Sequence, residues 1–376
     1  MDQNKEKFAV LVHRLYSGAT IKKGGADYIV RYLESKGHAP IYVEHPLNTS
    51  GPTFVRIGDQ ERAINLLGSG PIRWPQEVIV NILELIKLSD LTYILAVDPL
   101  NFFGAWVTKL VIRPELRIHF HSVDYSDSRF SNPTLDFIYN QLYKFAVMNA
   151  DVVTFVSRKA EIKIGEMTNG KAKGFLYFLP NSPEFNNIPK IKIENKKPGD
   201  LIYTKSFISD LEIDLMLKVV EEALKVDQSC SLHLAGNVSD SAKEKINKNK
   251  NANHVKCFGL VSYEKNIEIL SKCAIGLAWY EGKNQFERYA DSLKIREYAA
   301  SGLPTICNDV VSTCHELEEE NAGVMVKNEE EFIAAVKDLI NDRERYVQYS
   351  KNALEWSMKF DKAKLLDNLY PHLFYN

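Results

Sequence analysis

Along the first half of the chain, short β-branched or aromatic runs alternate with stretches in which apolar side chains return every three or four positions. The first pattern is that of a buried strand and the second that of an amphipathic helix. Strands are expected at 8–13, 41–44, 93–97, 117–121 and 152–156, and helices near 25–36, 75–88, 99–111 and 133–148. The second half repeats the rhythm, with strands at 201–203, 231–235, 255–258, 276–279 and 305–307 and helices at 210–225 and 263–271. Such alternation builds parallel sheets covered by helices on both faces. Two such halves in tandem predict an α/β chain of two Rossmann-like, doubly wound domains facing a central cleft.

Length agrees, because 376 residues exceed what one hydrophobic core organises. The boundary is expected in 179–200, where Pro180, Asn181, Pro183, Pro189 and Pro198 interrupt any helix, giving domains at 1–182 and 183–355 and a final helix, 356–376, that crosses back to the first. The most apolar stretch, 93–112, is broken by Asp98 and Lys109 and reads as strand, turn and buried helix instead of a membrane span. The polar first seven residues carry no signal-peptide pattern. The five cysteines contain no C-x-x-C pair and read as buried thiols in a reducing compartment. A net charge of -2 argues against nucleic acid as a partner. The Lys/Asn-rich stretch 239–253 reads as a solvent-facing helix and loop or as a phosphate patch.

The segment with most chemical content is 280–307, YEGKNQFERYADSLKIREYAASGLPTIC. Ser292 or Asp291 is a fit N-cap and Gly302 before Leu303-Pro304 a fit stop, so a helix is expected over 293–301. Lys294 then sits in the first turn, where a cation opposes the helix dipole unless an anion shares the spot; a diphosphate fits. Glu297 follows on the same face, one turn deeper, placed to accept both hydroxyls of a ribose. On spacing alone, a surface Lys/Glu pair explains the two residues equally well.

K-x-x-E-Y-x-A-x-G-x-P followed by a strand resembles the nucleotide-binding helix of the GT-B glycosyltransferases, family 4 in particular. Gly24-Gly25-Ala26 before Gly37-His38, the run 150–157, Leu179-Pro180-Asn181, Leu234-Ala235-Gly236, and 255–259 with Tyr263 resemble further family segments. The segment around Lys294 is also similar to that of the xanthan glucuronosyltransferase. The resemblance implies an acceptor-binding first domain and a nucleotide-sugar-binding second domain. It places Tyr280, Tyr289, Ser292, Leu293, Lys294 and Glu297 around the donor and the turn at Leu260-Val261 against the base. Two departures stand out: Tyr289 replaces the glutamate that retaining family 4 members carry eight residues before the ribose ligand, and Tyr203-Thr204-Lys205-Ser206-Phe207 replaces their glycine-rich basic turn.

In the first half, strand 117–121 runs into HFHSVDYSDSRF, which sets His121 and Asp124 at a strand's carboxyl end, where open α/β sheets bind ligands. Asp124 is placed as the general base would be in the inverting relatives that the chain resembles, and otherwise reads as a turn or helix-cap aspartate. The competing reading is a retaining transfer, in which the resemblance to family 4 implies that His121 contacts the sugar or its neighbours; on its own His121 reads as a buried hydrogen-bonded histidine, and His119 as structural. Phe102, Phe103 and Trp106 read as core or as a membrane-facing patch. No D-x-D motif stands in a suitable setting, so no metal or other cofactor is expected, the nucleotide-sugar being a co-substrate. The expected activity is transfer from a nucleotide-sugar, by resemblance a UDP-sugar, to a glycan or lipid-linked saccharide, in the cytoplasm or peripherally at the inner membrane face. A silent nucleotide-sugar-binding homologue and a nucleotide-sugar 2-epimerase are the alternatives.

Overall fold

The structure, a computed structural model, describes residues 6–14, 16–17, 20–21, 26–47, 50–185, 188–189, 192–283 and 286–374. Gly24, Gly25 and Tyr375 lie outside the described residues. The chain divides into two compact units: Met1–Pro180 with Ala363–Asn376, and Asn181–Lys362.

The first unit runs β1 (Lys7–Arg14), β2 (Tyr16–Ser17), β3 (Thr20–Ile21), α1 (Ala26–Ser35), β4 (Ala39–Pro46), β5 (Thr53–Ile57), β6 (Gln60–Ile64), α2 (Trp74–Ile86), β7 (Leu91–Ala96), α3 (Pro99–Val111), β8 (Arg117–Ser122), α4 (Pro133–Asn149), β9 (Val152–Phe155), α5 (Arg158–Thr168) and β10 (Phe175–Phe178). The second runs β11 (Asp200–Ile208), α6 (Asp210–Ala223), β12 (Ser231–Val238), α7 (Asp240–Lys248), β13 (Val255–Gly259), α8 (Tyr263–Lys272), β14 (Ile275–Ala278), α9 (Leu293–Ala300), β15 (Thr305–Asn308), α10 (Ser312–Glu319), β16 (Gly323–Val326), α11 (Glu329–Asn341) and α12 (Arg343–Met358). The tail adds α13 (Lys362–Leu369) and α14 (Pro371–Phe374).

The first sheet has the order β10-β9-β8-β7-β1-β4-β5-β6. Its strands pair in parallel except β4 with β5 and β5 with β6. β1 lies centrally with both faces covered, hence its unbroken apolar run. The β5/β6 hairpin, absent from the expected elements, turns at Gly58-Asp59, and β6 is an exposed edge whose side chains are mostly polar. Asp98 ends the apolar run after β7 and caps α3, accepting from Leu100 N and Asn101 N at 2.9 Å. On one face Phe8, Val10 and Val12 pack with Ile29 and Leu33 of α1 and with Leu366, Leu369 and Leu373 of the tail.

The second sheet, order β13-β12-β11-β14-β15-β16, is parallel throughout. The division falls after Pro180, two residues before the expected boundary, because the Asn181 amide already bonds Asp291 of the second unit, at 2.7 Å. The last helix does not cross from 356 onward. Trp356 is buried among Cys307, Cys314 and Ala353, and only from Ala363 does the chain join the first unit. Four cysteines are buried as expected, but Cys257 on the edge strand β13 is exposed. The basic stretch 239–253 is α7 and its following turn, with Lys243, Lys245, Lys248 and Lys250 all ion-paired to acidic neighbours. Phe102 is fully buried and so is core, whereas Phe103 and Trp106 are half-buried and pack against Phe145. Among the described residues no helix is long and apolar enough to cross a membrane.

Candidate functional site

α9 begins at the carboxyl ends of β11, β14 and β15, which are neighbours in the sheet. Ser292 caps it, accepting from Ile295 N, while the Ser292 amide donates to Thr313 Oγ1 at 2.9 Å. Gly302, at φ 68, ends it in the left-handed conformation that glycine tolerates. Close seating needs Gly276 on β14, where a Cβ would come within 2.3 Å of the Tyr298 ring. The Tyr298 hydroxyl accepts from Thr204 N at 2.8 Å and so ties the helix to the end of β11.

The Lys294 ammonium sits 4.5 Å from the centroid of the Tyr280 ring and 5.1 Å from that of Tyr203. Two aromatic faces attract a cation but do not neutralise it, and among the described residues Lys294 makes no hydrogen bond or ion pair. Burial and then the nearby Lys205 cation lower its pKa to about 8. Lys205 is paired with Glu212 at 2.7 Å, and Glu212, buried in the first turn of α6, also accepts from the Tyr203 hydroxyl. Lys205 and Lys294 therefore share this strand end, and the carboxylate paired there, Glu212, bonds Lys205 and leaves Lys294 without an ion pair among the described residues. Tyr280 bonds Ser292 through its hydroxyl, and its backbone is bracketed by the Asn308 amide at 2.9 and 2.7 Å.

Glu297 is 6% exposed, so it is not part of a surface pair. Its partner is Asn266 of α8, which donates at 3.2 Å, and burial raises the carboxyl to about 7 against that bond. Leu293 and Val261 are half-buried; Val261 packs beside the cluster holding Tyr298 and Ile267, and Leu260 next to it is exposed. Tyr289 is buried in a short turn, Glu287–Tyr289, that precedes α9.

Behind the helix start lies a network that spacing did not reveal. Asp291, with no exposed side-chain surface, accepts from Arg296 Nη2 at 2.7 Å, from Thr313 Oγ1 at 2.9 Å and from Asn181 N. Arg296 also reaches Glu316 at 3.2 Å and lies over the rings of Trp356 and Phe360. This buried pair holds α9, α10 and the end of α12 in one register.

In the first unit the structure sets His121 at the end of β8 and Asp124 in the loop beyond it. Asp124 is exposed, yet surrounding protein raises its carboxyl above the ordinary value, with Arg129 opposing. His121 is buried, with Nδ1 at 2.7 Å from Thr154 Oγ1. Among the described residues no group of three or more His, Cys, Asp or Glu is placed to hold a metal ion.

An unpaired cation at a helix start beside a buried carboxylate now has a family context. Residues 184–356 match the glycosyl transferases group 1 family. Every second-unit residue named here from Tyr203 to Glu316 lies inside that matched stretch. No curated protein sequence matches the chain. Sucrose-phosphate synthase from Thermosynechococcus elongatus superposes with a TM-score of 0.66 at 14% identity, over 98% of this chain and 99% of that one. An α,α-trehalose-phosphate synthase (UDP-forming) from Burkholderia vietnamiensis does so with 0.66 at 11% identity, over 99% and 97%. A trehalose-6-phosphate protein from E. coli bound with UDP-2-fluoro glucose gives 0.63 at 12% identity, over 97% and 98%. The fold, two units each built on a mostly parallel sheet, is that of GT-B glycosyltransferases.

Proposed function

We propose that this chain is a glycosyltransferase that moves a sugar from a UDP-sugar to a hydroxyl of a glycan or lipid-linked saccharide. The observation that carries the reading is Lys294, a cation with no ionic partner among the described residues, one turn from the buried Glu297 at the start of the helix in a group 1 domain. A diphosphate would gain from the ammonium, from the first backbone N–H groups of α9 and from the adjacent Lys205, while Glu297 would accept from the ribose hydroxyls. UDP as the nucleotide is supported by solved neighbours described as UDP-forming or bound with a UDP-sugar. No metal or cofactor enters the proposal, since the lysines and helix N–H groups supply the charge that leaving diphosphate needs.

In the reaction the acceptor oxygen attacks the anomeric carbon, its proton passes to Asp124, and the bond from that carbon to the β-phosphate oxygen breaks to release UDP. An aspartate whose pKa stands above the ordinary carboxylate value is suited to take that proton. Peripheral membrane contact is supported by α2, which buries Glu77, Asn81 and Glu84 and turns Ile79, Leu83 and Ile86 to solvent.

The test is mass spectrometry of reactions with UDP-glucose, UDP-glucuronate and UDP-N-acetylglucosamine against a panel of alkyl glycosides. UDP release with a glycosylated product is expected. A nucleotide-sugar epimerised at C2 would assign the chain to the epimerases, and nucleotide binding without turnover would mark a silent homologue.

A further inference from the structure

β7, β8 and β9 lie side by side, and their registers set Leu95 against His119 and His121 against Thr154. His119 and His121, two positions apart, share one face. A line of short contacts crosses that otherwise apolar face: Tyr93 Oη to His119 Nδ1 at 2.6 Å, His119 Nε2 to Thr154 Oγ1 at 2.6 Å, and Thr154 Oγ1 to His121 Nδ1 at 2.7 Å. Tyr93, His119 and Thr154 have no exposed surface, and His121 almost none.

The direction of the protons follows from what each group must satisfy. Burial keeps the Tyr93 phenol protonated and His119 neutral. His119 is the one hydrogen-bond partner of the Tyr93 hydroxyl among the described residues, so the phenol donates to Nδ1. His119 then carries its single ring proton on Nε2 and donates to Thr154. With its oxygen accepting from His119, Thr154 gives its own proton to His121 Nδ1. Running the line backwards would leave the Tyr93 proton without an acceptor among Phe8, Leu95 and Leu369.

We propose that Tyr93, His119 and Thr154 are positioning residues that lock His121 in the tautomer with its proton on Nε2, so that His121 serves as a hydrogen-bond donor to an oxygen of the reacting sugars and not as the general base. The donor role rests on the sugar-transfer reading above; the tautomer does not. It leaves the proton-accepting step to Asp124.

The experiment is a long-range proton–nitrogen correlation spectrum of the full chain labelled with nitrogen-15 in its histidines, the His121 ring being identified by its loss in His121→Gln. The wild type is expected to show Nδ1 unprotonated and Nε2 protonated. Thr154→Val is expected to give averaged signals of both tautomers and about a tenfold loss of turnover, and Thr154→Ser to restore both. Tyr93→Phe, two hydrogen bonds further along the line, is expected to blur the His121 tautomer with UDP affinity unchanged. A wild-type His121 protonated on Nδ1 overturns the proposal by itself, even if the Thr154 and Tyr93 variants misfold, and so does a Tyr93→Phe spectrum identical to wild type. If no sugar transfer is found while the tautomer is as stated, the sugar-transfer reading fails and the relay stands.

Discussion

Glu297 is expected to weaken the protein it serves. Moving a carboxyl from its ordinary 4.5 to about 7 costs about 3 kcal/mol once it is ionised in the folded state, at about 1.4 kcal/mol per pH unit. The sign follows from proton counts. Between these two values the folded chain holds the proton more tightly than the unfolded chain, so stability falls as pH rises through this window and the loss is complete above about 7. Glu297→Gln removes the ionisation and keeps an oxygen for Asn266 to donate to. Calorimetric melting at pH 8.5 should therefore show the second unit's transition several degrees higher in Glu297→Gln than in wild type, at about 2–4 °C per kcal/mol. At pH 5 the two should nearly coincide, and at both pH values the variant should bind UDP more weakly. Equal melting temperatures at pH 8.5, or a gap that persists unchanged at pH 5, would refute the claim that burial of an ionised Glu297 is what the site pays.

Four other outcomes are expected. Lys294→Ala should weaken UDP binding by roughly 10- to 100-fold, the worth of a charge-assisted contact, with a shallower salt dependence in titration calorimetry. Asp124→Asn should lower turnover by about 10²- to 10⁴-fold with UDP affinity unchanged, as steady-state kinetics beside calorimetry would report; near-normal turnover would remove Asp124 as the base. Asp291→Ala leaves Arg296 buried without its main partner and should destabilise the second unit by about 3–5 kcal/mol, read from denaturant melts. The double substitution Ile79→Glu with Leu83→Glu should reduce co-sedimentation with vesicles of phosphatidylethanolamine and phosphatidylglycerol while leaving UDP binding intact.

Strands at the middle of both sheets were legible because burial on two faces writes an unbroken apolar run, as in β1 and β14. The hairpin β5/β6 was not, since one polar edge strand behind a two-residue turn looks like a loop when read singly. α9 was legible from Ser292 and Gly302, whose cap and stop are local chemistry. That Glu297 is buried was not, because a three-residue spacing describes a helix face and says nothing of what covers it. Lys205 stood in plain view at the end of a strand, but its meaning required knowing that β11 and β14 are neighbours. Asn266 with Glu297, Asp291 with Asn181 and Thr313, and the line from Tyr93 to His121 join residues far apart in the chain, and only the register of parallel strands and the seating of helices bring them together.

The most direct measurement is titration calorimetry of UDP, GDP and ADP against wild type, Lys294→Ala and Glu297→Gln. The account predicts that wild type binds UDP more tightly than the other two nucleotides and that each variant loses most of that affinity. Undiminished UDP binding in both variants, or none in wild type, would contradict the assignment of the start of α9 as the donor site.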